Sequence, residues 1–74
     1  MDRNEHLAWA KQRALEYLDD VTPDPVVAFA SMQSDLHKHE KLRDHAGLEL
    51  GEMLMVSGHL STVKDMRKWI EDFN

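Results

Sequence analysis

The sequence lacks cysteine, so neither disulfide bonds nor thiolate zinc sites can hold the fold together. It also lacks a long apolar run. The most apolar stretch, residues 48–56, contains Glu49 and Glu52 and is far shorter than the roughly 20 residues of a membrane span. The charged N-terminal residues precede no apolar segment, which predicts no signal peptide. These absences predict a soluble chain held by packing, by helix caps or by self-association.

Clustered positive charge is missing as well. The chain carries 9 Lys and Arg against 14 Asp and Glu, for a formal net charge of −5. Lys64, Arg67 and Lys68 are the densest basic group, and neighbouring acids such as Asp65 offset them. Because nucleic-acid binding relies on grouped Lys and Arg against phosphates, the sequence predicts no nucleic-acid partner.

No catalytic or metal-binding motif is present. Ser57 and Ser61 lie near His59 without a surrounding nucleophile motif, and neither a glycine-rich phosphate loop nor an HExxH arrangement occurs. His37 and His39 are two residues apart, a spacing that points them in different directions on a helix. We therefore expect no enzymatic activity, no cofactor and no metal site.

The apolar residues that are present recur at helical spacing along nearly the whole chain. Asp2 with Glu5 forms a capping-box pattern, and Gly58 is placed to end a helix. The second helix begins after either Thr22 or Asp24, each of which is followed by a proline suited to the first helical position. We predict one all-α domain over residues 1–74, with helices at about residues 3–19, 24–38, 42–57 and 63–72.

A weak internal repeat suggests how these helices are arranged. When the chain is aligned with itself, Ala10 and Ala14 of the first helix meet Gly47 and Gly51 of the third. Each half then reads as a helix with two small residues, a turn, and a helix with an apolar stripe. This pattern is similar to tetratricopeptide-type hairpins, and it predicts a compact four-helix domain of two stacked helical hairpins.

The predicted third helix is apolar almost all round, so we expect it to be central or covered by a second copy. Each glycine inside a helix costs about 1 kcal/mol relative to alanine, so Gly47 and Gly51 need a compensating contact. Close packing against the first helix is one interpretation. A homodimer contact through Gly47, Gly51, Leu48 and Met55 is the other.

Trp9 is the most informative single residue. The apolar face of the first helix is complete without it, and Trp9 projects toward the side that carries Arg13 and Glu16. Exposed tryptophan often marks a partner surface, and Arg13 one turn later can stack on the indole. We predict a protein-binding patch of Trp9, His6 and Arg13. The alternative is that the second or fourth helix covers the indole.

Four segments, residues 6–18, 30–36, 58–62 and 67–74, resemble a family of short proteins encoded by tailed phages of actinobacteria, mycobacteriophages in particular. The resemblance extends over nearly the whole chain. It implies a non-virion accessory protein made in the infected bacterial cytoplasm, and it supplies no assigned activity. Small phage accessory proteins commonly act by binding a host or phage protein.

The sequence thus predicts a non-enzymatic helical protein-interaction module, with a host protein as a possible partner. Two alternatives stay open. One is a structural homo-oligomer without a separate partner, and the other is a small-molecule or signal-binding protein.

Overall fold

The computed structural model describes residues 1–74 and contains four α-helices and no strands. The helices are α1 (Arg3–Leu18), α2 (Pro25–His37), α3 (Ala46–Val56) and α4 (Val63–Asp72). The predicted all-α four-helix fold is confirmed. The largest difference is the start of α3, because residues 38–44 form turns. Leu42 is fully buried within these turns, so its apolar character reflects anchoring of the connection rather than a helix.

Side-chain caps set the helix starts. The Asp2 carboxylate accepts a hydrogen bond from the Glu5 backbone N–H at 2.8 Å, and the Glu5 side chain bonds back to the Asp2 N–H. The first of these bonds lowers the pKa of the Asp2 carboxyl below its ordinary value of 3.8. At α2, Asp24 accepts from the Val27 N–H at 3.2 Å. Of the two predicted caps for α2, Asp24 is therefore the one used.

The core is formed mainly by α1, α2 and α4, which pack against one another. α1 and α2 are antiparallel, since Asp24 at the start of α2 bonds to the backbone of Tyr17 near the end of α1. Ala10 and Ala14 of α1 and Ala28 of α2 are fully buried, and their small side chains allow close helix contact. The buried apolar residues are Leu7, Ala10, Ala14, Leu18, Ala28, Phe29, Met32, Leu36, Leu42, Leu48, Leu60, Met66, Ile70 and Phe73.

α3 lies on the flank of this core and is not the central helix that its composition suggested. Among its 11 residues only Leu48 and Gly51 are buried. The helix ends at a turn in which Gly58 has φ 82°, a left-handed conformation that favours glycine. α3 and α4 are not among the helix pairs that pack closely, so the second of the two predicted stacked hairpins is not found. None of the four helices has both the length and the apolar composition that crossing a bilayer requires.

Candidate interaction surfaces

The structure brings His6, Trp9 and Arg13 together on one side of α1, as their helical spacing predicted. The Arg13 guanidinium carbon lies 4.9 Å from the centroid of the Trp9 ring, and the His6 ring lies 5.1 Å away. Lys38, just after α2, places its ammonium 5.7 Å from the same indole. Trp9 is half-buried and packs against the core. We call His6, Trp9, Arg13, Lys38 and the neighbouring Asp35 the Trp9 cluster.

Asp35 holds this cluster together. Its side chain is only 2% exposed, and its carboxylate accepts hydrogen bonds from Arg13 Nε at 2.8 Å and from Lys38 Nζ at 3.0 Å. Its backbone carbonyl accepts from His6 Nε2–H at 2.6 Å. The charges of the cluster are thus paired within the chain. Sequence reasoning missed Asp35, although an acid on the apolar side of α2, beside Met32 and Leu36, was a usable signal.

The two glycines of α3 make room for aromatic rings of the same chain. A Cβ at Gly51 would lie 2.5 Å from Trp69 Cζ2 and 2.8 Å from Phe29 Cε2. A Cβ at Gly47 would lie 2.7 Å from Phe73 Cε2. The close approach is therefore with α2 and α4 side chains, and the expected contact of these glycines with α1 is not found.

The four residues of the predicted homodimer contact lie on the same side of α3 as these glycine contacts. Leu48 is 4% exposed, Gly51 is buried, and Gly47 and Met55 are half-buried. Met55 packs against the hydrophobic core. All four residues thus belong to the side of α3 that faces the core of its own chain. The homodimer contact through these residues stays a prediction.

The opposite side of α3 carries exposed apolar residues. Leu50 is 54% exposed, Met53 69% and Val56 91%, and the exposed Ala46 lies near them one turn before Leu50. These four residues, which we call the outer strip, span about 15 Å of helix, and each is exposed. Sequence reasoning missed the strip because α3 is apolar on both sides, so periodicity alone does not say which side faces the core.

An open depression of the surface, which we call the groove, lies along α3 and overlaps the outer strip. One part, of about 610 Å³, is lined by Glu49, Glu52, Met53 and Val56. A second part, of about 380 Å³, shares the two glutamates and extends to His37 at the end of α2. The groove thus combines apolar side chains with two carboxylates.

His45 and two basic residues of α4 have structural partners. His45 caps α3, its Nδ1 accepting from the Gly47 N–H at 2.8 Å, and its Nε2 bonds to the Asn74 carbonyl at 2.9 Å. No group of three or more His, Cys, Asp or Glu side chains is placed to hold a metal ion. On α4, Arg67 pairs with Asp19 and Lys68 with Asp72, so the basic group of this helix is largely neutralised.

The chain matches no protein-family profile, no curated protein and no solved structure. The resemblance to actinobacterial phage proteins therefore stays a prediction. The absence of enzymatic activity and the existence of a protein partner are predictions in the same sense.

Proposed function

We propose that this chain is a non-catalytic protein-interaction module and that it docks through the outer strip of α3. The observation that carries the proposal is the exposure of Leu50, Met53 and Val56 on a helix whose other side already packs on the core. Contiguous apolar surface of this kind on a small domain is typical of a partner site, whereas single exposed apolar residues are ordinary.

The outer strip is a better docking surface than the Trp9 cluster. A partner that used Trp9 would compete with Arg13 and Lys38 for the faces of the indole. Those two cations are also held by Asp35, so moving them would leave a buried carboxylate without its partners. The outer strip needs no such rearrangement, because its side chains already face solvent.

The biological setting of the proposal comes from the sequence resemblance. It supports an accessory protein of an actinobacterial phage that acts in the cytoplasm of the infected cell on a host protein. An interaction role is consistent with this setting, since a binding module needs a complementary surface and no reactive group of its own.

The test compares two double variants that remove similar apolar exposure. Leu50→Ser with Met53→Ser alters the outer strip, and Tyr17→Ser with Val21→Ser alters exposed apolar residues elsewhere. A partner captured from an actinobacterial lysate is purified and titrated against each variant. We expect the first variant to lose at least about tenfold in affinity, the scale of burying one or two such side chains.

Variant folding is checked by circular dichroism, and the Tyr17/Val21 control is expected to bind like the original chain. Equal binding by the Leu50/Met53 variant, together with loss of binding by Trp9→Ala, would contradict the proposal and favour the Trp9 cluster. A concentration-dependent dimer that Met53→Ser dissociates would instead favour the homo-oligomer alternative, with the outer strip rather than the glycine side as its interface.

A further inference from the structure

The groove lies along α3 and reaches the end of α2 at His37. Gln33 of α2 donates a hydrogen bond to the Glu52 carboxylate, and His37 lines the groove together with that glutamate. Helical spacing places Val26 and Ala30 on the same stripe of α2 as Gln33 and His37. Val26 is 63% exposed and Ala30 is also exposed. These two residues do not line the groove, whose apolar lining comes from Leu48, Met53 and Val56 of α3.

The carboxylates of the groove have no cation of their own. The ion pairs of the chain are Arg13–Asp35, Lys38–Asp35, Arg67–Asp19 and Lys68–Asp72. Glu49 and Glu52 belong to none of them, and Glu52 has only the neutral Gln33 amide as its partner. Asp44 adds a further acid to the lining and Arg43 a single base. A ligand that brings positive charge to this groove meets carboxylates that are still available.

We infer that the partner enters this groove as a basic amphipathic α-helix, an inference that rests on the proposed function. Its apolar side would pack on Met53 and Val56, and its Lys or Arg residues would pair with Glu49 and Glu52. Helix-in-groove recognition uses apolar anchors spaced over two to three turns, which matches the length of the outer strip. The bound helix would lie along α3, with His37 at the end of α2 beside it, and cover the side of α3 that the fold leaves open.

Charge argues against a second copy as the occupant. A two-fold pairing of outer strips would bring Glu49 and Glu52 of both chains to the margins of one small apolar contact, and like charges there are unfavourable. The basic residues Arg67 and Lys68 of α4 are already paired within the chain. An anionic lipid surface is disfavoured for the same reason, since the carboxylates would face negative headgroups.

The experiment uses two synthetic helical peptides of about 14 residues, roughly four turns. One has a leucine side and a lysine side, and the other replaces every lysine with glutamate. Each peptide carries a fluorophore and is titrated by anisotropy at about 50 mM salt, where exposed charges are weakly screened. We expect the Leu/Lys peptide to bind at least about tenfold more tightly than the Leu/Glu peptide.

Charge reversal in the groove tests the assignment of the carboxylates. Glu49→Lys with Glu52→Lys should remove the preference for the Leu/Lys peptide or invert it. Glu16→Lys with Glu71→Lys makes the same change of net charge on α1 and α4, neither of which lines the groove. This control should keep the preference, and a control that lost it equally would overturn the inference by showing an effect of net charge alone.

The outcomes separate this inference from the proposed function. If both peptides bind equally and Leu50→Ser with Met53→Ser abolishes binding, the outer strip docks helices without charge selection. The inference then fails while the proposed function stands. If the Leu50/Met53 variant binds the Leu/Lys peptide as well as the original chain, both fail. Binding to anionic vesicles, or sedimentation as a dimer that Met53→Ser dissociates, would overturn the inference in favour of a lipid surface or a second copy.

Discussion

The Trp9 cluster and the outer strip both place large apolar side chains at the surface, yet they differ in what surrounds them. Trp9 is half-buried beneath Arg13 and Lys38, and the buried Asp35 fixes both cations. The outer strip has solvent on its open side. The type of a residue is thus a weaker guide to a binding surface than the contacts that its side chain makes within the fold.

The same contrast holds between the two sides of the molecule. α1, α2 and α4 bury their apolar stripes against one another, whereas α3 buries one side and leaves further apolar residues, beside Glu49 and Glu52, on its open side. The first group of helices is therefore expected to set the stability of the chain. The outer side of α3 is expected to contribute to binding and little to folding.

The largest expected effect comes from a matched pair of methionine truncations. Met32 is fully buried and Met53 is 69% exposed. Met32→Ala should lower the free energy of unfolding by about 2–5 kcal/mol, from lost burial and a residual cavity. A domain of this size has only about 5 kcal/mol in total, so this variant should be largely unfolded at elevated temperature.

Met53→Ala should change the free energy of unfolding by less than about 0.5 kcal/mol, as surface substitutions usually do. Urea denaturation followed by circular dichroism measures both variants. A comparable loss of stability in the two would mean that the outer strip is covered in solution, and the contrast between the two sides of α3 would have to be abandoned.

A smaller effect is expected at the cap that anchors α3. His45 accepts from the Gly47 N–H through Nδ1, and its ring lies 4.5 Å from that of Phe73. His45→Ala should cost about 0.5–2 kcal/mol, the usual range for loss of an N-cap side chain. Amide hydrogen exchange should show the first turn of α3 opening more than α1 or α2.

His45→Asn is the matched control, because asparagine is among the best N-cap residues. This variant should recover most of the free energy of unfolding that is lost in His45→Ala. If asparagine is as destabilising as alanine, the contribution of His45 lies instead in its bond to Asn74 and its contact with Phe73.

The smallest expected effect is at the exposed cap of α1 and depends on pH. The Glu5 N–H lowers the pKa of the Asp2 carboxyl in the folded chain below 3.8. A group whose pKa is lower when folded stabilises the fold above its unfolded pKa, and that stabilisation is lost as the pH falls through the folded pKa. The capping contribution of Asp2 should therefore be complete near neutral pH and disappear in acid.

The comparison of the original chain with Asp2→Asn isolates this effect, since the other carboxylates titrate in both. The difference in unfolding free energy between them should shrink as the pH is lowered from about 5 to about 2. A difference that stayed constant over this range would show that the ionised Asp2 carboxylate adds nothing beyond a neutral cap.

Local patterns in the sequence were sufficient for the helices and for part of the Trp9 cluster. The Asp2 capping box and the approach of Arg13 to Trp9 depend on residues three or four positions apart, which a helix brings together by its own geometry. The start of α3 was wrong because Leu42 carries a helical apolar pattern into a segment that forms turns.

By itself, then, the sequence determined that this chain is helical, where most helices begin and end, and that α3 is apolar almost all round. Only the tertiary structure decided which side of α3 meets the core, that Gly47 and Gly51 admit aromatic rings, and that Asp35 pairs with Arg13 and Lys38. The physical reason is that these features depend on packing between residues distant in the chain. A helix that is apolar all round contains no local signal for the side it buries.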